Sequence, residues 1–217
     1  DGTDTITLGA DTTLTALDSG STVTFNAPLK GEAHSLDVIG NAVFGDATGD
    51  DTATGLARLT VTGTTNINTT AVTSTGTQTY GDNDGTDTIT LGADTTLTAL
   101  DSASTVTFNA PLVGQAHSLA ISGNAVFGDA TGDDTATGLA SLSVSGSAKI
   151  NTTAITTTGT QLWSGPITLA RSTTLTSGGD LIASDTVDGE FNLTLASAGV
   201  STFSGEIGLK AVESPNG

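Results

Sequence analysis

The strongest constraint in this sequence is that it repeats itself. The opening DGTDTITLGADTTLTALDS, which starts at Asp1, returns unchanged from Asp84, and Phe25, His34 and Phe44 recur as Phe108, His117 and Phe127. A third copy enters near Ile167 as ITLARSTTLT, shortened at its start, and then diverges. Near-identical units must fold alike, so the question becomes what one unit builds.

A period of 83 admits tandem immunoglobulin-like β-sandwiches, each somewhat short, or several coils of a β-solenoid per unit. One apolar anchor per coil gives Phe25, Phe44, Ile67, Ile89 and Phe108, in steps of 19, 23, 22 and 19 along the chain. The segments leading to successive anchors also resemble each other, Leu36-x-Val38-x-Gly40 before Phe44 and Leu59-x-Val61-x-Gly63 before Ile67. A sandwich has no need of that likeness. The expectation is therefore an all-β solenoid of about ten coils. It divides into a first unit at 1–83 and a second at 84–166, of about four coils each, and a partial third at 167–217.

Differences between copies show which side chains point inward, because buried positions change only conservatively. Val38 becomes Ile121 and Tyr80 becomes Trp163, whereas Asp37 becomes Ala120, Ile39 becomes Ser122, Arg58 becomes Ser141 and Asn66 becomes Lys149. This is alternation of period two. The predicted core is Phe25, Val38, Phe44, Val61, Ile67, Ile89, Phe108, Ile121, Phe127, Val144, Ile150 and Trp163. Phe25 with Phe44, and Phe108 with Phe127, lie one coil apart and are expected to stack.

Charge narrows the partners. Five Lys and Arg stand against 23 Asp and Glu, a formal charge of −18, so the surface is ill suited to neutralise phosphates or to attach to anionic lipid. There is no Cys and there are two His, which removes disulfides, thiolate zinc and iron–sulfur sites. No run of apolar residues is long enough to span a bilayer. The start, Asp1-Gly2-Thr3-Asp4, has no signal-peptide character and reads as an internal piece of a longer exported chain.

The succession SLDVIGNAVFGD, LARLTVTG, TTNINTTAVTSTGTQTYGD and ITLGADTTLT resembles the repeats of bacterial surface adhesins of the filamentous haemagglutinin type. The likeness covers residues 1 to about 176 well and the remainder loosely. It implies a right-handed parallel β-helix, exported to the cell surface, acting as a stiff rod in adhesion or cell contact. The implied partners are further copies of the same repeat, in the parent chain or in a filament, and a host-cell or matrix glycan or protein; the alternative readings are a self-assembling extracellular filament subunit, or a module that binds calcium or glycan.

No nucleophile motif accompanies His34 and His117 in GEAHSL and GQAHSL, and the few cations are not shared between copies, so no enzyme is expected and no cofactor is required. Calcium is the one open metal reading, because carboxylates gather in Gly-rich turns. The candidates are Asp46, Asp50, Asp51, Asp82, Asp84, Asp87, Asp129, Asp133 and Asp134. The competing reading is that these side chains satisfy backbone groups of their own turns. Asn68, Asn151 and Asn192 begin N-x-T sequons.

Overall fold

The computed structural model of the chain describes residues 4–18, 20–46, 51–129 and 134–213, in which every regular element is a β-strand, 28 in all. Among the described residues no helix is long and apolar enough to cross a membrane.

The strands fall on three faces, here A, B and C, visited in that order by each coil. Face A holds Ile6–Thr7, Leu29–Lys30, Thr52–Leu56, Ala71–Ser74, Thr95–Ala99, Leu119–Ser122, Leu142–Val144, Gln161–Trp163, Leu181–Ala183 and Ser201–Phe203. Face B runs Thr12–Thr15, Leu36–Ile39, Leu59–Val61, Gln78–Tyr80, Thr105–Phe108, Asn124–Phe127, Ala148–Ile150 and Ile167–Leu169. Face C runs Thr22–Phe25, Asn41–Phe44, Thr65–Ile67, Ile89–Leu91, Leu112–Val113, Thr135–Leu139, Ala154–Thr157 and Thr173–Ser177. The last two coils turn the B–C corner inside single strands, Val187–Ser197 and Ile207–Glu213. Each strand pairs in parallel with those one coil before and after, which makes a β-solenoid of ten coils. At about 4.8 Å per coil the rod is roughly 50 Å long. Tandem sandwiches are excluded, because the ladder passes from the first unit into the second without a boundary, Val72 pairing with Leu97.

Period-two sequences form these strands because alternate residues meet the interior and water. Face A stacks Ile6, Leu29, Ala53, Val72, Leu97, Ile121, Val144, Trp163, Ala183 and Phe203, one from each coil. Face B stacks Leu14, Val38, Val61, Tyr80, Phe108, Phe127, Ile150 and Leu169. Corners absorb most of the variation in coil length, and bulges take up the rest within the strands Thr52–Leu56, Thr135–Leu139 and Val187–Ser197, where the ladder register shifts. The third copy's short start is such a corner: positions 164–166 alone stand where 81–88 join the first unit to the second.

The register differs from the expected one in an informative way. Ile6–Thr7, Ile89–Leu91 and Ile167–Leu169 begin the three units, stand eleven strands apart, and lie on faces A, C and B. One unit is therefore three and two-thirds coils, and the next begins a third of a turn out of phase. Phe25, Phe44 and Ile67 share face C as expected, but their successor is Leu91; Ile89 continues Thr65, and Phe108 lies on face B above Tyr80. Both Ile89 and Leu91 point inward from one strand, so an apolar count along the sequence does not tell them apart.

All the residues expected in the core, from Phe25 to Trp163, are buried at 5% exposure or less. Phe25 stacks on Phe44 with ring centroids 5.1 Å apart on face C. One unit later the equivalent pair, Phe108 and Phe127, stacks at 5.3 Å on face B, with Tyr80 beneath Phe108 and Trp163 edge-on to Phe127 from face A. The aromatic spine changes face with each unit.

Candidate functional site

Acid is segregated to the corners. Among the described residues the only acids within strands are Asp37, Asp188, Glu190 and Glu213, and no strand of face C from Thr22 to Ser197 carries a charge apart from the corner-turning start of Val187–Ser197. The flat faces present mixed small and polar residues, as in the outward rank Thr24, Val43, Asn66, Thr90, Val113 and Thr137.

One corner gathers three carboxylates. Asp82, Asp84 and Asp87 lie between the face B strand Gln78–Tyr80 and the face C strand Ile89–Leu91, with one oxygen of each within 4.8 Å of the others. The turn already uses them. Asp84 N–H donates to Asp82 Oδ1 at 3.0 Å, and Thr86 donates from its backbone N–H and hydroxyl to Asp84 Oδ1 at 2.8 and 2.7 Å. The Thr86 hydroxyl and amide together hold the Asp84 carboxyl below its ordinary range. Partial burial, then the neighbouring Asp84 charge, pushes Asp87 up, although the Thr64 hydroxyl donates to it at 3.4 Å. Calcium needs six to eight oxygens, of which these side chains could supply a part.

The described flanks of the two GDATGDD segments are held alike. Asp46 N–H donates to Asp51 Oδ2 at 3.2 Å, and Asp129 N–H to Asp134 Oδ2 at 3.0 Å, so these carboxylates brace their own turns. The Thr69 hydroxyl donates to the Asp51 carbonyl and the Thr152 hydroxyl to the Asp134 carbonyl. Asp50 and Asp133 lie outside the described residues. Because the unit advances by eleven strands, the first turn leaves at the C–A corner and the second at the B–C corner.

The histidines sit in a third recurrent turn. His34 N–H donates to Gly31 O at 2.8 Å, and the central residues Glu32 and Ala33 have φ of 47° and 64°; Gln115 and Ala116 repeat these values. This is the type I′ pattern, built without the Asn or Gly that usually relieves it. Gly31 has no substitute, since a Cβ there would lie 2.6 Å from the Gly55 carbonyl. Asp11 Oδ1 accepts the Ser35 N–H at 2.8 Å and lies 3.7 Å from His34 Nδ1; Asp94, Ser118 and His117 repeat this at 2.8 and 3.6 Å. Both imidazoles are about a third exposed, at 36% and 34%. Beside the first turn an open groove of about 490 Å³ is lined by residues including Lys30, Glu32, Leu56, Thr73 and Leu100.

The structure also joins residues that sequence reading treated separately. Arg58 Nη2 donates to Asp37 Oδ2 at 2.7 Å across two coils, and the second unit loses both partners together, as Ser141 and Ala120. That joint loss was the available signal. Inside the rod, Tyr80 donates its hydroxyl to Gln78 Oε1 at 2.9 Å, and Gln78 Nε2 donates to the Val72 and Thr98 carbonyls. Gln161 repeats the amide bonds, to Ile155 and Thr176, but its Oε1 and Trp163 Nε1 are buried without partners. Asn151 and Thr152 of one sequon are buried at 9% and 1% exposure.

The chain matches no family model, no curated protein and no solved structure.

Proposed function

We propose that this chain is a stiff, non-enzymatic segment of an extracellular bacterial adhesin or surface fibre of the filamentous haemagglutinin type. The observation that supports it is the unbroken ladder: ten coils share one core across the unit boundaries, so length is added without a hinge. Acid concentrated at the corners keeps such rods apart by repulsion and disfavours nucleic acid and anionic membrane as partners. The partners in this reading are further repeats along the axis and a glycan or protein on the contacted surface. Immunogold labelling of intact cells carrying the parent chain tests it. Label outside the envelope, drawn closer to the cell when the repeats are deleted, is the expected result, and label confined to the cell interior overturns it.

A cation-binding module is the second reading, favoured by the three carboxylates at Asp82, Asp84 and Asp87. A saturable calcium-dependent rise in the melting midpoint, lost in Asp82→Asn, would support it, and identical melting in calcium and EDTA would remove it.

A further inference from the structure

We propose that the groove on the A–B corner of coils 2 to 5 is a saccharide subsite that takes one or two neutral sugar rings. Its shape follows from corner length. Coil 2 spends positions 31–35 between its face A and face B strands and coil 5 spends 100–104, whereas coils 3 and 4 turn within 57–58 and 75–77. Two long turns thus stand as walls beside two short ones. The space between them, about 490 Å³, lies in the range of roughly 300–1,000 Å³ usual for small-molecule sites. The same segments of the second unit make only one wall, since 114–118 is long but 140–141, 158–160 and the fourth corner, 178–180, are all short.

What the groove offers decides the ligand. The backbone is already spent: Gly31 and Ala33 N–H donate to the Thr54 and Gly55 carbonyls, and Thr75 and Leu100 N–H to the Leu56 and Ser74 carbonyls. A peptide therefore finds no strand edge to extend. Side chains remain. Lys30 and Glu32 stand on one wall with no ion-pair partner among the described residues, and Leu100, 63% exposed, forms the other. Between them the Thr54 and Thr73 hydroxyls are bonded to no other described residue.

One ammonium beside one carboxylate leaves that wall without net charge, in a molecule whose −18 repels anions. This suits an uncharged ligand that both donates and accepts. The vicinal diol of a sugar ring does so: its hydroxyls donate to the Glu32 carboxylate, an oxygen accepts from the Lys30 ammonium, and the C–H face of the ring packs on Leu100. The second unit keeps the floor without the walls' chemistry. Thr137 and Thr156 repeat Thr54 and Thr73, but Val113 and Gln115 replace Lys30 and Glu32. Gly178 stands where Leu100 does, its N–H on Thr157 O as that of Leu100 is on Ser74 O. The charge pair and the apolar wall are present together or absent together.

The assignment rests on the surface-rod reading for its biological partner, a glycan on the contacted surface. Amide chemical shifts of the whole labelled chain, titrated with lactose, maltose, cellobiose and N,N′-diacetylchitobiose, test it. At least one of these is expected to give saturable shifts centred on Gly55, Thr73 and Leu100. Lys30→Val and Glu32→Gln give the first unit the residues that the second already carries, so the fold is kept. Each of them, and Leu100→Asp, is expected to weaken binding about tenfold or more. Leu17→Asp, the same turn residue away from the groove, is expected to leave it unchanged. No saturable shift with any of the four sugars, shifts centred elsewhere, or binding that the three groove variants leave intact would each overturn the subsite. Shifts in the groove with immunogold label confined to the cell interior would overturn the surface rod and keep the subsite, whereas label outside the envelope with no sugar bound would overturn the subsite alone.

Discussion

Tyr80 and Trp163 occupy the same place in successive units and differ in how their polar atoms are served. Tyr80→Phe leaves Gln78 Oε1 buried without its donor, a loss of about 1–3 kcal/mol measurable by urea unfolding. At Trp163 no such bond exists to lose. Trp163→Tyr restores a hydroxyl where the first unit has one, so it is expected to cost about 1 kcal/mol less than Trp163→Phe, although both lose packing.

Alkaline pH reports on the same residue. Burial pushes the Tyr80 phenol well above its ordinary value. The folded state therefore keeps a proton that the unfolded chain gives up above about pH 10, and stability present below that pH falls as pH rises further. The expected slope is up to roughly 1.4 kcal/mol per pH unit, and it flattens in Tyr80→Phe. Since this is the only tyrosine, tyrosinate absorbance is expected to appear only with unfolding.

At the scale of the element, alternation within each strand was legible and corner chemistry was partly so. Val38, Val61, Ile121 and Val144 read as inward because their neighbours Asp37 and Arg58 gave way to Ala120 and Ser141 between copies. The turns hid their strain, because nothing in GEAH or GQAH signals two successive left-handed residues. Replacing Glu32 and Ala33 together by Asn and Gly supplies the residues that a type I′ turn favours and is expected to stabilise the chain by about 1 kcal/mol, read as a higher melting midpoint. Gly31→Ala is expected to do the reverse, since its Cβ would strike the backbone of the next coil at Gly55 and Leu56.

For the whole molecule, the mismatch between eleven strands per unit and three per coil governs display. A corner turn in one unit leaves the rod a third of a turn away in the next, and three full units, eleven coils, bring it back to the same edge roughly 53 Å along the axis. Deleting Gly81–Trp163, one full period, joins Tyr80 to Ser164 and leaves a corner like the natural Trp163–Ser164 junction. The product is expected to fold as one rod, shorter by about 18 Å in solution scattering, with its last unit shifted to another face. Loss of cooperative unfolding would show that the faces are not interchangeable.

The sequence by itself determined the period of 83, the inward and outward sides of each strand, and the placing of acid in turns, because alternation and turn composition are local and the repeat is plain identity of letters. Only the tertiary structure decided how many strands close a coil, and with that which residues stack: Leu91 over Ile67, Phe108 over Tyr80, Arg58 beside Asp37. Closure depends on hydrogen bonds between partners a whole coil apart, such as Val72 with Ala53 on one side and Leu97 on the other, across corners whose length varies freely. A pattern of period two carries no record of where such a corner returns the chain upon itself.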